Sequence, residues 1–250
     1  MNSVYPAIQT RCFKAYDIRG QVPTDLDDDI AYRIGRALVL ELGAKNIVVG
    51  RDMRLESPPL AQALMKGIQD AGADVIDIGL CGTEEVYFAT SHYEADGGVM
   101  VTASHNPKGY NGMKLVKGQS RPISGDTGLD AIRERVDAGN IGDKAERPGR
   151  VDSRPDKAAY IKHLLSYVSG VDLRPLKILA DPGMARSLQR ATQPGLVRGT
   201  DHLHQHPAHP AGDAIHHDRR GLGHVVLLFQ ALHSLRESSG KPLFAPGFLP

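Results

Sequence analysis

The sequence predicts an α/β layer sandwich with a largely parallel sheet, followed by the opening of a second α/β unit and an irregular tail. Three observations predict it. Through the first 180 residues, short apolar runs alternate with segments of helical periodicity, the pattern of strands joined by crossover helices. At 139–156 (GNIGDKAERPGRVDSRPD) the chain turns polar, with several Gly and Pro, and reads as a linker. Over the last fifty residues the composition shifts again, with eight of the eleven histidines and only four acidic residues.

Each element follows from its own pattern. Asp25 to Leu42 puts Ile30, Ile34, Ala37, Leu38 and Leu42 at helical spacing, and its acidic start suits the positive end of a helix dipole. NIVVG at 46–50 is an apolar run ending in Gly, a buried strand. Residues 59–71 form a second helix closed by Gly72, and DVIDIG at 74–79 a second strand. Thr83 to Tyr93 reads as a helix with Thr83 as its cap. GGVMVTAS at 97–104 is a third strand, and Asp126 to Ala138 a further helix. Beyond the linker, a helix over 157–168 and a strand over 176–180 open a second α/β unit.

The bulk numbers exclude several classes. A chain of 250 residues with 41% apolar and 24% charged residues belongs with soluble globular proteins. A formal net charge of +1 gives no overall pull toward nucleic acid. No stretch approaches the roughly 18 apolar residues of a membrane span, and the N-terminus lacks the apolar core of a signal peptide. The two cysteines, Cys12 and Cys81, stand far apart in sequence, so free thiols and a cytoplasmic setting are expected.

Chemistry concentrates around VTASHNPKG at 101–109. In an open parallel sheet, active groups collect at the carboxyl ends of strands, which is where Ser104 falls. The residues after it are turn formers, so the serine is exposed and reachable. A plain turn serine remains the bland alternative. A Ser-His-Asp hydrolase is disfavoured: there is no GxSxG elbow, and His105 has no evident acid partner. Other polar groups share the same rim. KAYDIRG at 14–20 carries Tyr16, Asp17 and Arg19; GRDMR at 50–54 places Arg51, Asp52 and Arg54 directly after a strand; Lys114 follows an Asn-Gly turn at 111–112. Taken singly, each cation reads as half of a surface ion pair. Together, cations around a serine suit a phosphate anion, because guanidinium forks match phosphate oxygens.

FKAYDIRG, GRDMR, GTEEVYFAT, GGVMVTASHNPKGYNGMKLV and RPISGDTGL resemble the α-D-phosphohexomutase family, in its bacterial phosphomannomutase/phosphoglucomutase branch, over about residues 12–183. The resemblance implies a three-layer sandwich domain with a mostly parallel sheet over 1–140, carrying a phosphoserine loop. It implies a linker and the start of an incomplete second α/β domain over 141–183. It also implies an enzyme that interconverts hexose 1- and 6-phosphates of mannose or glucose through a phosphoserine and a 1,6-bisphosphate. Ser104 would be the nucleophile and phosphoryl carrier. His105 and Lys114 would shuttle a proton or steady charge, Arg19 would neutralise the phosphate, and Tyr16 would shape the cleft. Mg²⁺ would be held by a phosphoserine oxygen and three aspartates of a DGDxDR loop.

The sequence departs from that family in its later part. It contains no DGDxDR, and after LADPG it continues MARSLQRATQPG. Residues 184–250 are expected to be a non-family tail, poorly ordered, of the kind a shifted reading frame would produce; HVVLLFQAL at 224–232 could dock as a short helix. The HxHxH and HH spacings there would suit zinc or nickel, yet no acidic or cysteine partners surround them. The expectation is therefore a truncated phosphohexomutase, weakly active or inactive, with hexose phosphates as partners, no nucleic acid and no membrane. The alternative is a non-catalytic phosphosugar-binding remnant.

Overall fold

A computed structural model describes residues 5–171. The expected strand over 176–180 and all that was anticipated of residues 184–250, the histidine tract included, lie outside the described residues. The elements run β1 (Ile18–Gln21), α1 (Asp28–Leu42), β2 (Asn46–Arg51), α2 (Ser57–Asp70), β3 (Asp74–Leu80), α3 (Thr83–His92), β4 (Gly97–Val101), β5 (Tyr110–Lys117), β6 (Arg121–Pro122), α4 (Leu129–Ala138), β7 (Val151–Ser153) and α5 (Ala158–Ser166).

The strands form one sheet in the order β1-β5-β4-β2-β3-β7, with β6 on β5. β4, β2, β3 and β7 run parallel, while β1, β5 and β6 pair antiparallel. Strand side chains alternate between faces, and the two cores divide accordingly. Ile47, Val49, Val75, Val99 and Val101 join the larger core with Leu38 of α1, Leu64 of α2 and Ile132 of α4. Val48 and Met100 point the other way and pack with Val86 and Ala89 of α3. Helices therefore cover both faces of the sheet, the three-layer arrangement expected from alternating strands and helices.

Local chemistry sets the helix ends. α1 starts at Asp28 rather than Asp25, because the Asp27 side chain accepts from the Ile30 amide at 2.8 Å and caps it. It ends at Gly43 in the left-handed region, φ 60°. Thr83 is not the cap of α3. Gly82 is, and its amide donates to Glu85 Oε1 at 3.1 Å. The helix expected from Asp126 is interrupted at Gly128, φ 132°, leaving a short 3₁₀ turn at Gly125–Thr127 before α4.

The structure differs from the sequence reading in two further places. Asn111-Gly112 is not a turn but lies inside β5. Gly112 is needed there because a Cβ would sit 2.0 Å from the Ile18 carbonyl oxygen of β1. The polar stretch 139–156 carries β7, which adds to the edge of the sheet beside β3. Among the described residues no helix is long and apolar enough to cross a membrane.

Candidate active site

The parallel strands place the site. The chain leaves β2 toward β3 but leaves β4 toward β5, although β2 and β4 are neighbours. Their carboxyl-end loops part at this boundary, the crevice where open α/β sheets take ligands. One wall is Asp52–Glu56 after β2, and the other is Thr102–Gly109 after β4.

β4 stops at Val101, short of the expected end at Ser104, because side chains take over the hydrogen bonding. Thr102 Oγ1 accepts the Ser104 amide at 2.8 Å, a local bond that bends the chain out of the sheet. Asn106 N and Nδ2 both donate to the Ala103 carbonyl, at 3.0 and 2.7 Å. Ser104 is held at φ 53°, the left-handed region that costs a side-chain-bearing residue about 1–2 kcal/mol. Its side chain is exposed, and Oγ lies 3.5 Å from His105 Nδ1.

Beneath the loop is a set of polar groups centred on Asp52. Thr102 Oγ1 donates to Asp52 Oδ2 at 2.7 Å, and Ser57 Oγ donates to Oδ1 at 2.5 Å. Asn111 Nδ2, fully buried in β5, donates to Ser57 Oγ at 2.8 Å. Asp52 Oδ1 also accepts the Arg54 amide at 3.1 Å, and Oδ2 lies 3.5 Å from Arg54 Nε. The Arg54 guanidinium then reaches across the crevice. Nη2 donates to the carbonyls of Ser104 at 3.0 Å and Asn106 at 2.5 Å, and Nη1 to those of Pro107 at 2.8 Å and Tyr110 at 3.3 Å. The sequence put Asp52 and Arg54 on the rim but did not reveal that they hold the serine loop. The signal for the hydrogen-bonded turn was Thr102, two residues before Ser104.

A second cluster lies on β1 and β5. Asp17 Oδ1 is 3.3 Å from Arg19 Nη2, and its Oδ2 is 3.5 Å from Lys114 Nζ. Two cations share one carboxylate, so the cluster keeps one net positive charge. Arg19 Nε is buried without a hydrogen-bond partner. Register puts Arg19 opposite Gly112, and Lys114 opposite Met100 of β4. Tyr16, just before this cluster, is 80% exposed. Among the described residues no group of three His, Cys, Asp or Glu side chains could hold a metal ion. The carboxylate beneath the serine loop, Asp52, is already engaged by four donors, so these residues do not form a Mg²⁺ site by themselves.

The cysteines take no part in the site. Cys12 is buried and Cys81 half-buried, and both are free thiols; burial pushes each up to about 12. At neutral pH neither supplies a thiolate.

Residues 10–141 match the family described as phosphoglucomutase/phosphomannomutase, alpha/beta/alpha domain I. Among curated proteins, the chain is 57% identical over 171 residues to the phosphohexose mutases of Xanthomonas campestris pv. campestris strain B100, covering 68% of this chain and 38% of that protein. It is 55% identical over 175 residues to the phosphomannomutase of Salmonella montevideo, covering 69% and 38%. Among solved structures, a phosphoglucomutase/phosphomannomutase family protein from Burkholderia thailandensis aligns with TM-score 0.58 and 34% identity, over 67% of this chain and 37% of that one. The matched region thus spans well under half the length of these relatives. With its matched domain and its α/β architecture, the chain belongs to the phosphoglucomutase/phosphomannomutase family.

Proposed function

We propose that this chain is the serine-bearing part of a phosphohexomutase that interconverts hexose 1- and 6-phosphates, with Ser104 as phosphoryl carrier. The observation that carries the reading is Ser104 itself. It is exposed and held in a left-handed turn, its amide is engaged by Thr102, and its carbonyl is drawn away by Arg54. A plain turn serine does not require four carbonyls, three from its loop and one from Tyr110 of β5, gathered on one guanidinium.

The step proposed is a phosphoryl transfer. The P–Oγ bond of phosphorylated Ser104 breaks as a P–O bond forms to the free O1 or O6 hydroxyl of a hexose monophosphate. The hydroxyl proton ends on Oγ, and the product is a 1,6-bisphosphate. After the bisphosphate turns around, its other phosphoryl group returns to Oγ. Such a reaction depends on positioning and charge neutralisation. His105, 3.5 Å from Oγ, is the group proposed to carry the proton, with Lys114 assisting or steadying charge. The net positive charge of the Asp17–Arg19–Lys114 cluster would attract the phosphate, with the unpartnered Arg19 Nε as a donor for one of its oxygens. Tyr16 would line the cleft. Mg²⁺, implied by the family resemblance, would offset charge on the transferring group; the phosphate on Ser104 would supply one ligand oxygen, and the three aspartates of a DGDxDR loop are absent from the sequence.

A second reading is a non-catalytic phosphosugar-binding module. It is favoured by one feature, the absence of a DGDxDR loop from the 250-residue sequence. On that ground the 250 residues alone are proposed to have little mutase activity. Mass spectrometry for phosphate on Ser104, and a Mg²⁺-supplemented assay with mannose 1-phosphate and glucose 1-phosphate, test both readings. Phosphate on Ser104 supports the carrier role, whereas sugar-phosphate binding with Ser104 never modified supports the second reading. Robust turnover by the purified chain would overturn the low-activity proposal.

A further inference from the structure

We infer that Arg54, anchored by Asp52, is a positioning residue that holds the Ser104 loop in its phosphoryl-accepting shape by collecting the loop's carbonyl groups on one guanidinium. The inference rests on the proposed carrier role of Ser104. Four backbone carbonyls, those of Ser104, Asn106, Pro107 and Tyr110, converge on Nη1 and Nη2 of this single side chain. Every one of them belongs to the loop or to the first residue of β5. A carbonyl oxygen carries partial negative charge. Left free, the Ser104 carbonyl would repel a phosphate dianion on the neighbouring Oγ. Bonded to Arg54, it is turned toward a cation on the other wall of the crevice.

Asp52 completes the device. It anchors Arg54 through its amide and Nε, and it takes the Thr102 hydroxyl proton. That direction leaves a lone pair of Thr102 Oγ1 for the Ser104 amide, so one carboxylate orients both contacts that keep Ser104 at positive φ. Ser57 and Asn111 buttress Asp52 from the buried side. The planar guanidinium fork matters here. A lysine ammonium is a point charge on a flexible stem and cannot serve four carbonyls spread over the loop.

The test compares the 250-residue chain with Arg54→Met, Arg54→Lys and Asp52→Asn. Three quantities are read: the thermal midpoint, hydrogen exchange at the Ser104 and Asn106 amides, and phosphate uptake on Ser104 from glucose 1,6-bisphosphate. Expected are folded variants with lowered midpoints, exchange at the Ser104 and Asn106 amides faster by about tenfold or more relative to core amides of β2 and β4 in the same variant, and phosphate uptake slower by about 10²-fold. Arg54→Lys is expected to behave like Arg54→Met; recovery by Lys would overturn the fork in favour of simple charge. Wild-type exchange and uptake in a folded Arg54→Met would overturn the inference outright. If the Met variant does not fold, Arg54→Lys decides by the same two readouts. If wild-type chain takes no phosphate on Ser104, the missing DGDxDR loop already accounts for it, and the exchange rates at the Ser104 and Asn106 amides alone decide whether Arg54 holds the loop.

Discussion

Thr102 Oγ1 sits between two partners, accepting the Ser104 amide at 2.8 Å and donating to Asp52 at 2.7 Å. That hydroxyl links the end of a central strand to the backbone of Ser104. The left-handed conformation of Ser104 is therefore imposed by its surroundings, and imposed strain is measurable.

Replacing Ser104 with Gly should remove the proposed phosphoryl acceptor and stabilise the fold by up to about 1 kcal/mol, because glycine adopts φ 53° without a Cβ penalty. Ser104→Ala should remove the site with no such gain. Thermal denaturation of the two variants side by side checks this. A lower midpoint for Gly than for Ala would show that the turn is not strained.

The helices α1 and α2 cross at two glycines. A Cβ on Gly35 would lie 2.3 Å from the Leu64 carbonyl oxygen, and one on Gly67 would lie 2.1 Å from that of Tyr32. Both obstacles are backbone, so the helices must move apart. Gly67→Ala is expected to cost about 3 kcal/mol, at the upper end for overpacking. Gly43→Ala, with nothing within 4 Å, should cost only its left-handed φ, about 1–2 kcal/mol. Urea denaturation of both variants distinguishes a steric from a conformational penalty.

Asp70 ends α2 with its carboxylate buried. Burial alone would raise its pKa, but hydrogen bonds from Lys66 and Tyr32 and the ion pair with Lys144 outweigh it, and the net direction is down. A carboxylate lowered in the folded state stabilises above its ordinary value, and that stability is lost as pH falls through the lowered value. Asp70→Asn should therefore cost about 1–3 kcal/mol near pH 7. The variant should also lose part of the decline in stability seen on acidification. Thermal midpoints from pH 3 to 7 check it; parallel profiles for wild type and variant would remove Asp70 from the account.

The two thiols should resist alkylation. With burial pushing both up to about 12, iodoacetamide at pH 8 should modify neither Cys12 nor Cys81 in the folded protein over times that label the urea-unfolded chain fully. Peptide mapping reads each site. Cys12, fully buried in the larger core, should be the slower of the two. Rapid labelling of Cys81 would mean that the packing around Met100, 3.8 Å from its sulfur, opens readily.

Much of the first domain was legible in the amino-acid order. The runs NIVVG and DVIDIG, and the periodic 28–42 segment, each state their structure locally, because one apolar set faces one core. The exposed turn at Ser104, on the carboxyl rim of the sheet, could likewise be read from VTASHNPKG. β5 could not be read. Its Asn-Gly pair carries the commonest turn signal, and only the approach of Ile18 to Gly112 makes it a strand. β7, all of it exposed, has no apolar pattern to announce it and exists because β3 offers an open edge. Nor does order along the chain say which rim residue serves which role. Arg54 and Ser104 stand fifty positions apart, and Asp17 and Lys114 ninety-seven. Only the sheet order, with β4 beside β2 and β5 beside β1, brings those pairs within a few ångströms, since hydrogen-bonded strands lie about 4.8 Å apart wherever they fall in the sequence.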